Sequence, residues 1–128
     1  MKQTMCRVLL SVALAPLLGS AAAAQTACHL APIGTAAAAS VQDGRTLMLV
    51  DGRVLRLAGI EVTDSSREAL QSLVGGQSLR LEGLGAEHDR YDRIVAFAFV
   101  GETKKSAQQM LLEQGQAIVS ARVGDKAC

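Results

Sequence analysis

Aromatic residues are nearly missing from this chain: no tryptophan, one tyrosine and two phenylalanines in 128 residues. Proteins that hold single-stranded nucleic acid without sequence preference stack successive bases on aromatic faces. Tyr91, Phe97 and Phe99 do not amount to such a platform, and the two phenylalanines are expected in the core. Histidine and cysteine are scarce as well, two and three, and their scatter does not spell a zinc site. His88 reads as an exposed loop residue. Adjacent Cys28 and His29 do not read as a catalytic pair, because nucleophile and base meet through the fold and not through adjacency. No excess of one charge exists either, the formal net being +1. The basic field that drives non-specific nucleic-acid binding is therefore missing, although a local basic cleft is still allowed. The apolar run at 8–24 is broken by Pro16 and falls short of the about 20 residues of a spanning helix.

That run has the features of an export leader. Lys2 and Arg7 make a positive start, residues 8–18 form an apolar centre, and Ala22, Ala23 and Ala24 offer a small-residue cleavage pattern before Gln25. The chain then divides into a signal peptide at 1–24, a lead-in at 25–34, one domain at 35–120 and a tail at 121–128 ending in Cys128. A lipoprotein fits less well, since Gln25 stands where an apolar residue is wanted ahead of Cys28. Cleavage leaves about a hundred residues, enough for one core. The leader takes two of the 13 Lys+Arg and none of the 12 Asp+Glu, leaving eleven against twelve, a net of −1. Such a product is expected to be periplasmic or secreted, free of the membrane after cleavage, and monomeric. Cys6 leaves with the leader, and Cys28 and Cys128 then meet an oxidising compartment. A bridge between them closes a loop of about 100 residues and contributes up to ~4–5 kcal/mol in the chain-entropy account. Two free thiols on frayed ends are the plainer alternative.

Residues 41–62 organise the domain. They hold two Asp-Gly pairs, Asp43-Gly44 and Asp51-Gly52, each between β-prone residues. Asp-Gly accepts the positive φ of a type I′ turn, so each pair predicts a two-residue hairpin. Together they predict a three-strand meander over 35–42, 45–50 and 53–60. Ser65-x-x-Glu68 fits a capping box, Ala69, Leu70, Leu73 and Val74 make an apolar stripe, and Gly75 supplies a stop, which predicts a helix over 66–74. Leu79 and Leu81 alternate with Ser78, Arg80 and Glu82 as a half-buried strand, and IVAFAFV at 94–100 reads as a buried one. A second helix over 104–114 places Ala107, Met110 and Leu111 on one face and stops at Gly115. Residues 117–119 form an apolar patch after that helix. The result is mainly β with α: a five-stranded OB-fold Greek-key barrel with a helix between strands 3 and 4 and a C-terminal helix.

Four segments carry a resemblance: DGRTLML at 43–49, RLAGIEVTD at 56–64, DRYDRIVAF at 89–97 and LLEQGQAIV at 111–119. Together they resemble the staphylococcal nuclease-like, or thermonuclease, family. Its pattern runs Asp-Gly-Asp-Thr, then Arg-Leu-x-Gly-Ile-Asp-x-Pro-Glu, then Asp-Arg-Tyr-Gly-Arg, then Leu-x-x-x-Gly-x-Ala. The likeness spans 35–119 and implies the same OB barrel. It also implies a calcium-dependent phosphodiesterase, in which carboxylates hold the metal, a glutamate assists the attacking water and two arginines offset charge on the phosphorane. A phosphodiester is an anion that repels nucleophiles, so such a site must supply a cation, a base and fixed donors.

Carried over by position, the resemblance makes Arg56 and Arg93 the two arginines and Tyr91 the tyrosine of the third motif, a substrate contact. Glu61 takes the place of a metal-binding Asp and Asp64 that of the general-base Glu, with Thr63 for the preceding proline. Arg45 stands where a second metal-binding Asp belongs, and Asp92 replaces a glycine, its carboxylate within reach of Arg93. At ~5 Å and an effective dielectric near 20, a unit charge against a dication is worth about 6–7 kcal/mol. Even nine-tenths screening leaves ~1.3 kcal/mol for the sign reversal at position 45, about tenfold in affinity. The implied function is a family member with weakened calcium binding, impaired or lost catalysis, and a residual cleft for phosphate or nucleic acid at Arg45, Arg56 and Arg93.

Two other readings stand beside it. One is a working nuclease in which Glu61 and Asp64 compensate for the lost ligand. The other is a non-catalytic extracytoplasmic module that binds a protein partner through its barrel. Single residues have plainer roles too: Arg56 paired with Glu61 or Glu82 on a solvated face, Asp64 as a helix-entry residue, Glu61 as a surface acid. Arg56 and Glu61 are an odd number of residues apart, on opposite faces of an ideal strand, and converge only if the chain turns near Gly59.

Overall fold

Alternating apolar residues build the interior of this fold. The computed structural model describes residues 29–83, 85 and 88–120; the expected signal peptide, the Cys28–Cys128 pairing and the tail at 121–128 lie outside them. In β2 (Thr46–Leu49) and β3 (Val54–Leu57), Leu47, Leu49, Leu55 and Leu57 are buried, because successive strand residues face opposite sides of a sheet. β5 (Ser78–Gly83) contributes Leu79 and Leu81, and β6 (Ile94–Val100) contributes Ile94, Ala96, Ala98 and Val100. The long β1 (Ala31–Asp43) pairs antiparallel with β5 along its first half and with β2 along its second. β3 runs parallel to β6, and β5 antiparallel to it. The strands close a barrel in the order β1-β2-β3-β6-β5. This is the expected mainly-β, five-stranded OB-type barrel. α1 (Ser66–Val74) falls between its third and fourth strands, and α2 (Ala107–Glu113) follows its fifth.

Several local expectations are corrected. β1 begins at Ala31, where Ala31 faces Gly83 and Pro32 faces Glu82, so the end of the lead-in is strand; pairing overrides the weak propensity of its alanines. The third strand stops at Leu57. Gly59 takes φ +78, the chain turns, and β4 (Ile60–Val62) pairs with β7 (Ala117–Val119) in a separate two-stranded ladder. The apolar patch at 117–119 is thus a strand.

Neither Asp-Gly pair forms a type I′ turn. Gly44 lacks a positive φ, and at the second turn Gly52 alone has one, φ +86, after the Gly52 N–H bonds the Leu49 carbonyl. That is a three-residue loop whose last residue is left-handed, a pattern that equally suits antiparallel strands. Each aspartate instead accepts an N–H two residues on, Arg45 to Asp43 at 2.9 Å and Arg53 to Asp51 at 3.0 Å. Gly44 is needed for space: a Cβ there would lie 2.5 Å from the Ser66 Cβ.

Ser65 makes no capping bond to the helix; its hydroxyl donates to Gln116 Oε1 instead. Ser66, the first helical residue, ties the helix start to its surroundings, accepting from the Thr63 N–H at 3.0 Å and donating to the Gln116 carbonyl. The second helix starts at Ala107, later than expected, because Ser106 caps it by accepting from the Gln109 N–H. Its buried face includes Gln108, whose amide donates to the Ala96 carbonyl and accepts from the Ala98 N–H, tying α2 to β6. Phe97 and Phe99 are half-buried on the outer wall and not in the core. The interior of a small barrel is filled by alternating large and small residues, and Ala96 and Ala98 are the small ones here.

Candidate anion-binding site

Three arginines stand on β3 or just ahead of the adjoining strands β2 and β6. Arg56 faces Thr46 on one side and Val95 on the other in the ladder registers. Leu55 and Leu57 point inward, so Arg56 points out of the barrel. Arg45 precedes β2, and its carbonyl accepts the Leu57 N–H at 2.7 Å. Arg93 precedes Ile94, which pairs with Leu55. Burial lowers the Arg56 pKa first, the charges of Arg45 and Arg93 lower it further, and Asp43 and Asp89 work against both.

Two of these cations are already matched. Arg45 Nη1 lies 2.6 Å from Glu61 Oε2 and also donates to the Ile60 carbonyl at 3.0 Å. The turn at Gly59 brings this about, since it carries Glu61 to the side it would not occupy on a straight strand. Glu61 Oε1 accepts from the Ser120 hydroxyl at 3.2 Å. Arg93 Nη2 lies 2.7 Å from Asp89 Oδ2, with Nε on the same oxygen at 2.8 Å. Asp89 Oδ1 accepts the N–H groups of Tyr91 and Arg93. The Arg93 side chain, and then these backbone donors, hold the Asp89 carboxyl down at about 2.

Arg56 is different. Glu61 bonds Arg45, and Glu82 pairs with Arg80 at 3.0 Å, so neither plain partner expected for Arg56 is the one it has. Among the described residues its guanidinium makes no hydrogen bond and no ion pair. Opposite it, Thr46 is buried, and its hydroxyl is the one buried side-chain polar atom among the described residues without a partner.

The other expected residues fall as follows. Tyr91 is 62% exposed, with the Arg90 and Arg93 guanidinium carbons 4.8 and 5.0 Å from its ring centre. Asp92 adopts φ +59, the conformation a glycine favours, and Asp89 rather than Asp92 holds Arg93. Asp64 is exposed before α1, in a shallow pocket with Gln42, Asp43, Gly44, Val62, Thr63 and Arg67 that includes none of the three arginines. His88 is exposed, as expected. Sequence reading missed Asp89, Thr46 and Ser120 as members of the site. A signal for Asp89 existed, since Asp-x-Arg at 43–45 and 51–53 recurs as Asp-x-x-x-Arg at 89–93, with the aspartate accepting a nearby N–H each time.

Calcium takes six to eight oxygen ligands. Among the described residues no group of three or more His, Cys, Asp or Glu is placed to hold a metal ion. Glu61, the carboxylate expected at the metal, holds a guanidinium. The described residues do not fit the ion. No family model matches this chain, and no curated protein matches it at a significant level.

Proposed function

We propose that this domain is a thermonuclease-like OB barrel that binds phosphate groups, free or in nucleic acid, without calcium and without cleaving phosphodiesters. One observation carries the reading: among the described residues Arg56 is a cation with no carboxylate in contact, between two arginines that are each paired with one. A guanidinium presents a rigid fork of donors suited to phosphate oxygens. Arg45 supports the loss of turnover. Its positive charge sits on the carboxylate that a metal would need, and a guanidinium cannot activate water as a bound metal does. Asp64, the base of the active alternative, shares its pocket with Arg67 and with none of the three arginines.

The test is a titration of inorganic phosphate and a short oligonucleotide into the protein in EGTA. Binding is expected without metal, and Arg56→Ala should weaken it by about 10–150-fold, the loss of a charge-assisted hydrogen bond of ~1.5–3 kcal/mol. Arg45→Asp should gain calcium affinity. Digestion of plasmid or RNA that needs calcium and stops with chelator would overturn the proposal.

A further inference from the structure

We propose that the Thr46 hydroxyl is the second donor of the Arg56 site, and that the two together select phosphate monoesters, such as the terminal phosphates of nucleotides and oligonucleotides, over internal phosphodiesters. This rests on the reading of Arg56 as a phosphate-binding residue and adds to it a partner and a substrate class.

The backbone sets the two side chains together. The Leu57 N–H donates to the Arg45 carbonyl at 2.7 Å, and the Leu49 N–H to the Arg53 carbonyl at 2.9 Å. Thr46 and Arg56, directly opposite one another, therefore form a non-hydrogen-bonded pair of the β2–β3 ladder. Across such a pair the side chains come closest, with Cα atoms about 4.5 Å apart. Leu47, Leu49, Leu55 and Leu57 fill the interior, so Thr46 and Arg56 share the outer face. Thr46 is only 2% exposed there, and among the described residues its hydroxyl has no partner. A polar group left unpaired away from water disfavours the free protein. A phosphate oxygen held by the neighbouring guanidinium would satisfy it, because a hydroxyl can rotate to donate.

Counting acceptors gives the substrate class. A guanidinium fork takes two oxygens of a phosphate. A diester has two non-bridging oxygens, and the fork uses both. A monoester has a third strong acceptor, which is left for the Thr46 hydroxyl. Net charge does not make this choice. Asp43 faces Thr46 from β1, its Oδ1 accepting the Arg45 N–H at 2.9 Å, and its carboxylate opposes a dianion more than a monoanion. Arg45 and Arg93 carry carboxylates of their own. Discrimination then falls to the third oxygen.

The experiment titrates methyl phosphate and dimethyl phosphate, at mildly alkaline pH in EGTA, into the full chain and into Thr46→Val, Thr46→Ser and Arg56→Ala. The wild type is expected to bind the monoester more tightly. Thr46→Val should lose about tenfold on methyl phosphate and little on dimethyl phosphate, and Thr46→Ser should keep the preference. The thermal midpoint of unliganded Thr46→Val should rise as the unpaired hydroxyl disappears; a fall would mean that the hydroxyl is already paired, and would overturn the role of Thr46. A monoester preference that survives in Thr46→Val would come from charge alone and would overturn it too, as would equal losses on both esters. Should Thr46→Val not fold, Thr46→Cys, a weak donor of similar size, takes its place in both measurements. If Arg56→Ala weakens both esters while Thr46→Val changes neither, the arginine site stands and its proposed partner falls. If the wild type binds neither ester, the phosphate reading fails and the selectivity with it.

Discussion

Arg45, Arg56 and Arg93 are chemically identical and physically distinct. A guanidinium keeps its charge at any working pH, so what separates the three is only what each one faces. Arg45 faces Glu61 and Arg93 faces Asp89, which among the described residues leaves Arg56 as the cation with attraction to spare. The residue types were legible in the sequence. The partners were not, because they depend on the φ +78 turn at Gly59 and on which aspartate of the 89–92 loop points inward. The Asp89 pair carries a pH prediction. Its carboxyl falls from an ordinary 3.8 to about 2 in the fold, so the stability it contributes is complete above about 4 and lost as pH falls towards 2. Asp89→Asn should flatten this acid limb when the thermal midpoint is followed from pH 5 to 2. An unchanged limb would mean that Arg93 does not hold the carboxylate in solution.

At the scale of the element, the five barrel strands and two helices were read in place, but their ends, their joints and the β4–β7 ladder were not. Leucine alternation dictates which face of β2, β3 and β5 is buried, whatever the turn between them. Turn type and cap position instead depend on neighbours far along the chain. Ser66 serves as the helix-entry hydroxyl because the Gln116 carbonyl and the Thr63 N–H are both there to meet it. Gly44 is required for the same reason, lying under the first turn of α1 where even a methyl group meets Ser66 and Val62 at 2.5 and 3.1 Å. Gly44→Ala is therefore expected to lose about 1–3 kcal/mol by overpacking. A shift of the urea midpoint at unchanged slope would record it. A turn that merely needed a flexible residue would tolerate alanine with little change.

For the whole molecule, charge and shape divide the work. A formal net charge of +1 gives almost no long-range attraction for a polyanion, so phosphate binding must come from local geometry. With two of the three arginines already compensated, one phosphate contact is expected. The logarithm of the oligonucleotide association constant should then fall against the logarithm of salt with a slope of about −0.7 to −0.9. A slope near three times that value would mean that the Arg45–Glu61 and Arg93–Asp89 pairs open to join the contact. On the opposite count, the described part of the molecule includes no helix long and apolar enough to cross a membrane.

Sequence by itself determined the five-stranded OB-type barrel with its two helices and the alternation that buries the leucines, since period-2 alternation and turn spacing act over a few residues and survive errors at each joint. Tertiary structure decided the rest: that Phe97 and Phe99 line an outer groove, that β4 and β7 form a ladder of their own, and that among the described residues Arg56 alone of the three arginines has no carboxylate in contact. Those outcomes turn on contacts between residues tens of positions apart, such as Arg45 with Glu61 and Ser66 with Gln116, and no local pattern encodes a distance that only chain closure creates.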